Sequence, residues 1–325
     1  MGSTYNRSEI TLQEGFSLEK MEMDGSRRTL LLDRLFYHSS FIYTPEEELS
    51  TEPKESEQPA ETIPAQEQQI ETDEPEEDEQ ESEEKEGKLS EGLREVFTSV
   101  IESARDVFIK DDLNIVAIGD SLTQGVGDST ENGGYIGILE KTFNANPDTE
   151  TLNITNYGKR GNRTDQMLER MEDEKIAESL QEADLILITI GANDVMKVVK
   201  NNFTSLNYQD FVEEQEGYEN RMRNIFSRVQ ELNPDAPVYL VGLYNPFNQY
   251  FTNIPELGKI MGDWNDISRR VTADYEQATF IPIRDLFEGN EEELLWEEDL
   301  FHPNERGYKK MAERVLQYIR EDIEQ

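Results

Sequence analysis

The sequence predicts a three-layer α/β/α domain built on a five-stranded parallel sheet. Two observations predict it. Short apolar runs occur at 114–119, 152–157, 184–190, 237–243 and 279–283, and longer segments of helical apolar spacing fall near 133–145, 164–181, 207–232, 255–276 and 304–321. The two kinds of segment alternate, which produces right-handed βαβ units and a parallel sheet covered on both faces. Five strands in about 215 residues fit a flavodoxin-like sheet. No repeat of fixed period is visible.

The elements before the domain differ in kind. In residues 1–45, Arg27-Arg-Thr-Leu-Leu-Leu32 resembles the start of an export signal, but Asp33 and Arg34 break it. We expect a disordered segment there, with a degraded signal or anchor as the alternative. Asn6 stands where a myristoylation signal needs Ser or Thr. Residues 46–88 are expected to form a disordered acidic linker. Residues 46–87 hold 19 acids against Lys54 and Lys85, and apolar residues are nearly absent, so burial cannot offset chain entropy. Residues 89–325 then form the folded domain. It opens with an amphipathic helix over 89–109, where Leu93, Val96, Phe97, Val100, Ile101 and Ala104 share a face.

Charge and composition exclude several classes. The chain carries a net −40, of which −23 remains outside residues 46–87. That argues against nucleic acid, whose phosphates need clustered cations. With no cysteine there is no disulfide, thiol nucleophile or Cys-ligated zinc. No run of about 18 apolar residues exists to span a membrane. The linker suits a tether from a surface, so an extracytoplasmic location is preferred, with the cytoplasm as the alternative. We expect a monomer.

Chemistry concentrates at Ile115-Val-Ala-Ile-Gly-Asp-Ser121. A serine just past a buried strand lies where open α/β sheets bind ligands. Its hydroxyl needs a base, most often histidine. The chain has two histidines, and His38 falls in the segment expected to be disordered, which leaves His302. Asp299 precedes His302 by three residues, close enough to hold one ring nitrogen while the other faces Ser121. Two further stretches offer donors for an oxyanion. Asn156-Tyr-Gly-Lys-Arg-Gly161-Asn-Arg-Thr164 follows the second strand, with Gly161 free to approach a ligand and Thr164 a fitting helix N-cap. Gly191-Ala-Asn193-Asp194 follows the third, where the Asn193 amide can reach the same rim. Asp120 and Asp194 are supporting neighbours. Taken singly, each stretch also reads as an ordinary turn, and a lone histidine before a helix is more often a surface or capping residue. Gly127-Asp-Ser-Thr130 repeats the first tripeptide without a preceding strand, and we read it as loop.

Together the four stretches, Gly-Asp-Ser-Leu, Asn-x-Gly-x-x-Gly, Gly-x-Asn-Asp and Asp-x-x-His, resemble the GDSL, or SGNH, hydrolase family over about residues 112–322. Gly161-Asn-Arg-Thr-Asp-Gln166 is similar to its bacterial YpmR-like branch. The resemblance implies an SGNH hydrolase sheet, Ser121 as nucleophile, His302 as base and Asp299 as its partner. It implies an oxyanion hole made of the Ser121 and Gly161 N–H groups and the Asn193 amide. No metal or cofactor is expected. The expected activity is a serine esterase or acylhydrolase acting on a small-molecule ester, lysophospholipase-like in one form. The alternatives are a carbohydrate O-acetyl esterase and a non-catalytic binding module on a tether. Tyr244-Asn-Pro-Phe-Asn-Gln-Tyr-Phe251 is expected to form a loop after the fourth strand, with Tyr244, Phe247, Tyr250 and Phe251 as candidates to line an acyl or sugar pocket; the spacing of Tyr244, Phe247 and Tyr250 also suits a helical turn.

Overall fold

The five apolar runs become β1 (Asn114–Gly119), β2 (Asn153–Gly158), β3 (Leu185–Thr189), β4 (Val238–Val241) and β5 (Ala278–Ile281). All pair in parallel in the order β2-β1-β3-β4-β5. This is the expected flavodoxin-like sheet. The computed structural model describes residues 113–130, 133–144, 153–202, 205–247 and 255–323. The segments 1–45 and 46–88, the helix expected over 89–109, and Tyr250 and Phe251 lie outside them.

Both faces of the sheet are covered, which is why its strands read as continuous apolar runs. Side chains alternate along β1. Val116 and Ile118 join one core, and Ile115 and Ala117 the other. The first core is closed by α3 (Thr164–Arg170), α4 (Glu174–Gln181), α5 (Ala192–Asn201), α6 (Tyr208–Leu232) and α7 (Pro255–Thr272). At its centre Trp264 is fully buried between the rings of Phe211 and Tyr218. The second core is closed by α2 (Gly134–Asn144), α8 (Arg284–Phe287), α9 (Glu291–Leu294) and α10 (Glu305–Ile323). A single turn, α1 (Ser121–Gln124), follows β1.

The helices depart from expectation in several places, the short α1, α8 and α9 among them. The helix expected over 164–181 is two helices, because Asp173 accepts the N–H groups of Lys175 and Ile176 and starts α4 afresh. Helix α5 was not anticipated, although Val195, Met196, Val198 and Val199 carry helical spacing. Thr164 is not the N-cap of α3: Arg163 holds that position and Thr164 opens the helix. The Tyr244–Phe247 stretch is irregular chain and a turn, not a helical turn. The second Gly-Asp-Ser is loop as read. Asp128 there accepts the N–H groups of Thr130 and Gly134, and Ser129 reaches Glu305.

The strand ends set up the site. Gly119 lies level with Gly158 on one side and Thr189 on the other, and Thr189 with Val241. The loops leaving β1, β2, β3 and β4 therefore emerge at one edge. Because β2 and β3 flank β1, the chain reverses direction across the sheet there, which opens a crevice at the carboxyl end of β1.

Candidate active site

Ser121 is placed at that crevice by the tight exit from β1. A Cβ on Gly119 would stand 2.4 Å from the Thr189 carbonyl oxygen, so only glycine lets the two strand ends come this close. Asp120 then turns inward. Its Oδ1 accepts the Leu122 N–H at 3.0 Å, which caps α1, and the Thr189 hydroxyl at 2.9 Å. Its Oδ2 is buried without a hydrogen-bond partner. Burial pushes the Asp120 carboxyl up to about 7, against the Leu122 and Thr189 hydrogen bonds.

His302 and Asp299 arrive from a loop 181 residues later in the chain. His302 Nε2 lies 2.9 Å from Ser121 Oγ, and Nδ1 lies 2.5 Å from Asp299 Oδ2. With Nδ1 protonated, the ring donates to Asp299 and accepts the Ser121 hydroxyl. All three residues are buried. The other Asp299 oxygen accepts the N–H groups of Phe301 and His302, each at 3.0 Å. This double return requires a sharp turn, and Leu300 makes it at φ +55°, a left-handed conformation disfavoured for a branched residue by about 1–2 kcal/mol. Burial raises the Asp299 carboxyl, but the His302 ring and these N–H groups outweigh it and hold the group below its ordinary value. The loop is anchored outside as well. The Trp296 N–H reaches the His302 carbonyl at 2.8 Å, and the Tyr244 hydroxyl reaches the Phe301 carbonyl at 2.6 Å.

The stretches after β2 and β3 meet on the other side of Ser121. The Lys159 N–H donates to Gly119 O at 3.0 Å, which ties the β2 loop to the end of β1. Gly161 follows at φ +79°, in the left-handed region, and the Asn162 N–H closes the turn on Lys159 O. The Asn193 amide donates to Asn162 O at 3.0 Å, so the two stretches are joined directly.

Beneath that junction lies a network the sequence did not disclose. Buried Asp194 accepts the Thr164 N–H at 3.1 Å and the Thr164 hydroxyl at 2.5 Å. Arg221 of α6 donates to Thr164 Oγ1 at 2.7 Å, to Asp194 at 3.2 Å and to Glu214 at 2.6 Å. Burial pushes the Asp194 carboxyl up, opposed by the bonds from Thr164 and Arg221. The hydroxyl expected to cap α3 instead links α3 to α5, one residue from Asn193.

An apolar cleft of about 410 Å³ opens at Ser121. Val195 and Met196 of α5, Leu243 and Phe247 after β4, Met261 of α7 and Phe301 line it. Tyr244 also faces it and is stacked on Phe287, with centroids 4.1 Å apart. No group of His, Asp and Glu side chains among the described residues is arranged to hold a metal ion. No helix among them is long and apolar enough to cross a membrane.

Comparison with known proteins agrees with this architecture. The family model described as GDSL-like Lipase/Acylhydrolase family matches residues 117–310. An uncharacterized protein of Bacillus subtilis (strain 168), YpmR, is 36% identical over 222 residues, covering 68% of this chain and 87% of that protein. The spore germination lipase LipC of Bacillus licheniformis is 27% identical over 210 residues, covering 62% of this chain and 94% of LipC. Among solved structures, the lipase Lip_vut3 from a goat rumen metagenome matches with a TM-score of 0.56 and 25% identity, covering 64% of this chain and 97% of that one.

Proposed function

This chain belongs to the GDSL-like lipase/acylhydrolase family of ester-acting hydrolases, and we propose that it is a serine acylhydrolase that cleaves carboxylic esters through an acyl-enzyme on Ser121. The observation that carries this reading is the relay from Ser121 Oγ through His302 to Asp299 at the mouth of an apolar cleft.

The relay supports a two-step reaction. His302 Nε2 takes the Ser121 proton as Oγ attacks the ester carbonyl, and the imidazolium is held by ionised Asp299. The oxyanion is stabilised by the Ser121 and Gly161 N–H groups and the Asn193 amide. His302 gives its proton to the leaving alcohol, and the acyl group stays on Ser121. Water then attacks with His302 again as base, which releases the acid and restores the serine. The acyl chain occupies the cleft, whose apolar lining favours a chain longer than acetyl.

The test is hydrolysis of p-nitrophenyl acetate, butyrate and decanoate by the full chain beside Ser121→Ala and His302→Ala. Each change is expected to lower turnover on the order of a millionfold. Near-parental turnover in Ser121→Ala would sink the mechanism. A preference for acetate over both longer esters would move the reading to an acetyl esterase.

A further inference from the structure

Most described cations are tied to a carboxylate or a carbonyl, as Arg163 is to Asp165 and Arg170 to the Tyr157 carbonyl. Lys159, Arg160, Lys197 and Lys200 belong to the few described cations whose side chains make no hydrogen bond or close ion pair, although the Asp165 carboxyl lies within the field of Lys197. These four share one edge of the site. Lys159 and Arg160 lie in the β2 loop, which is tied to the end of β1 and, through the Arg160 N–H, to Gln124 of α1. Lys197 and Lys200 follow Asn193 by four and seven residues on α5, so all three lie on one stripe of that helix. The bond from Asn193 to Asn162 O turns the stripe toward the same loop. The shifts of neighbouring groups are in keeping with this. Burial and then the Arg163 charge lower the Lys200 ammonium. The Asp165 carboxyl is held low, against its partial burial, by Arg163 and behind it by Lys197.

This edge inverts the charge of the protein. The chain carries a net −40, yet from Asn153 to Thr164 there are three cations and no acid, and of these Arg163 is neutralised by Asp165, just past the stretch, which leaves Lys159 and Arg160. A uniformly acidic surface repels anionic ligands, and a cationic rim beside the reacting atom is what overcomes that.

The two halves of a bound ester must leave the carbonyl in different directions. The apolar cleft lies toward β3 and β4, lined by Val195 and Met196 of α5, of which Met196 borders the Asn193 stripe, with Leu243 and Met261. The β2 loop lies on the opposite side of β1. An acyl chain in the cleft therefore leaves the alcohol half over Lys159 and Arg160. A charged group could not take the cleft without losing its hydration.

We propose that this rim, Lys159, Arg160, Lys197 and Lys200, binds a negatively charged group on the alcohol half of the ester. The substrate is then an amphiphile, with an apolar acyl chain and an anionic alcohol. The proposal rests on the acylhydrolase reading and names the substrate class of that same site.

The test compares kcat/KM of the full chain for 4-butyryloxybenzoate, which is anionic, and for its neutral methyl ester. The readout is the anionic-to-neutral ratio, in which differences in chemistry between variants cancel. The ratio is expected to fall about tenfold in Lys159→Glu/Arg160→Glu, and by less in Lys159→Gln/Arg160→Gln. In the parent it is expected to fall from about 0.1 M to about 1 M salt, as the Debye length shortens from about 10 to about 3 Å. Hydrolysis of both esters with a ratio indifferent to salt and to both variants would overturn the rim and leave the acylhydrolase standing. An equal loss on both esters would also overturn it, as the cations would then be structural. Hydrolysis of neither ester by the parent would overturn the acylhydrolase reading and the rim with it. Repeating the anionic ester with a decanoyl chain separates two sources that both support the rim: higher kcat/KM than the butyryl ester points to a lipid headgroup, lower to a soluble acylated anion.

Discussion

On one side of Ser121 the chain closes on itself between Trp296 and Pro303. Asp299, Phe301 and His302 bond to one another, and Trp296 closes the loop on the His302 carbonyl. On the other side, Gly161 lies in a short turn and Asn193 in the first turn of α5. They are joined by one amide contact and held from below by Thr164, Asp194 and Arg221. On the proposed mechanism, the contrast follows from what each side must do. A base has to carry one ring in one tautomer and orientation, which a local loop can fix. Oxyanion donors have to come from several strand ends at once, and only long-range contacts can fix their spacing.

If that comparison holds, the largest effect short of removing Ser121 or His302 lies in the self-contained loop. Asp299→Asn keeps an acceptor for the Phe301 and His302 N–H groups but offers an amide to Nδ1, which favours the wrong tautomer. We expect kcat to fall about ten-thousandfold with KM little changed, measured on p-nitrophenyl butyrate. A loss below tenfold would mean that the backbone bonds of the loop orient the ring without the carboxylate.

The second effect sharpens the other side. Arg221→Ala removes the guanidinium that holds Thr164 and Asp194 together, and leaves a buried carboxylate with fewer partners. Arg221 touches none of the proposed reacting atoms, so on the proposed mechanism it positions the donors rather than supplying one. We expect kcat to fall about ten- to a hundredfold, less than the hundred- to thousandfold for deleting a donor outright. KM should hold, and Arg221→Lys should recover part of the loss, since it restores the charge without the fork. If kcat stays parental at a temperature where the variant is fully folded, the network serves stability alone.

The same contrast decides what could be read from the chain. The apolar run of β1 stops at Gly119, just before Asp120-Ser121, and His302 is one of two histidines, with Asp299 three residues before it, so both were candidates that the combination of four stretches singled out. The Gly161 and Asn193 stretches were visible because strand exits are visible. Arg221 was not. It lies 27 residues beyond Asp194 in a long polar helix that also carries Arg223 and Arg228, and nothing local separates the three. Thr164 was misassigned for the same reason: its local role as a cap was overridden by a partner 30 residues away. Helix α5 was passed over because Gly191-Ala-Asn193-Asp194 reads as a turn before it reads as a first helical turn. Met261 reaches the cleft from α7, a placement that belongs to packing and leaves no motif.

The smallest effect tests the residue shared by both sides. Asp120 caps the turn that carries Ser121 and holds Thr189 at the end of β3, while its second oxygen is buried without a hydrogen-bond partner. Burial pushes its carboxyl from 3.8 up to about 7. Between those two values the folded protein keeps a proton that the unfolded chain has lost. Stability from this group is therefore present at low pH and declines as pH rises through the window, at about 1.4 kcal/mol per pH unit. Above the folded value both states are ionised and the decline ends. Asp120→Asn keeps an acceptor for the Leu122 N–H and the Thr189 hydroxyl but cannot titrate. Unfolding free energies from urea titrations between about pH 5 and pH 8 should fall more steeply in the parent than in the variant. Other groups that titrate in this range are common to both proteins and cancel in the difference. Equal slopes would mean that Asp120 is ionised throughout, and the turn carrying the proposed nucleophile would then hold a buried negative charge.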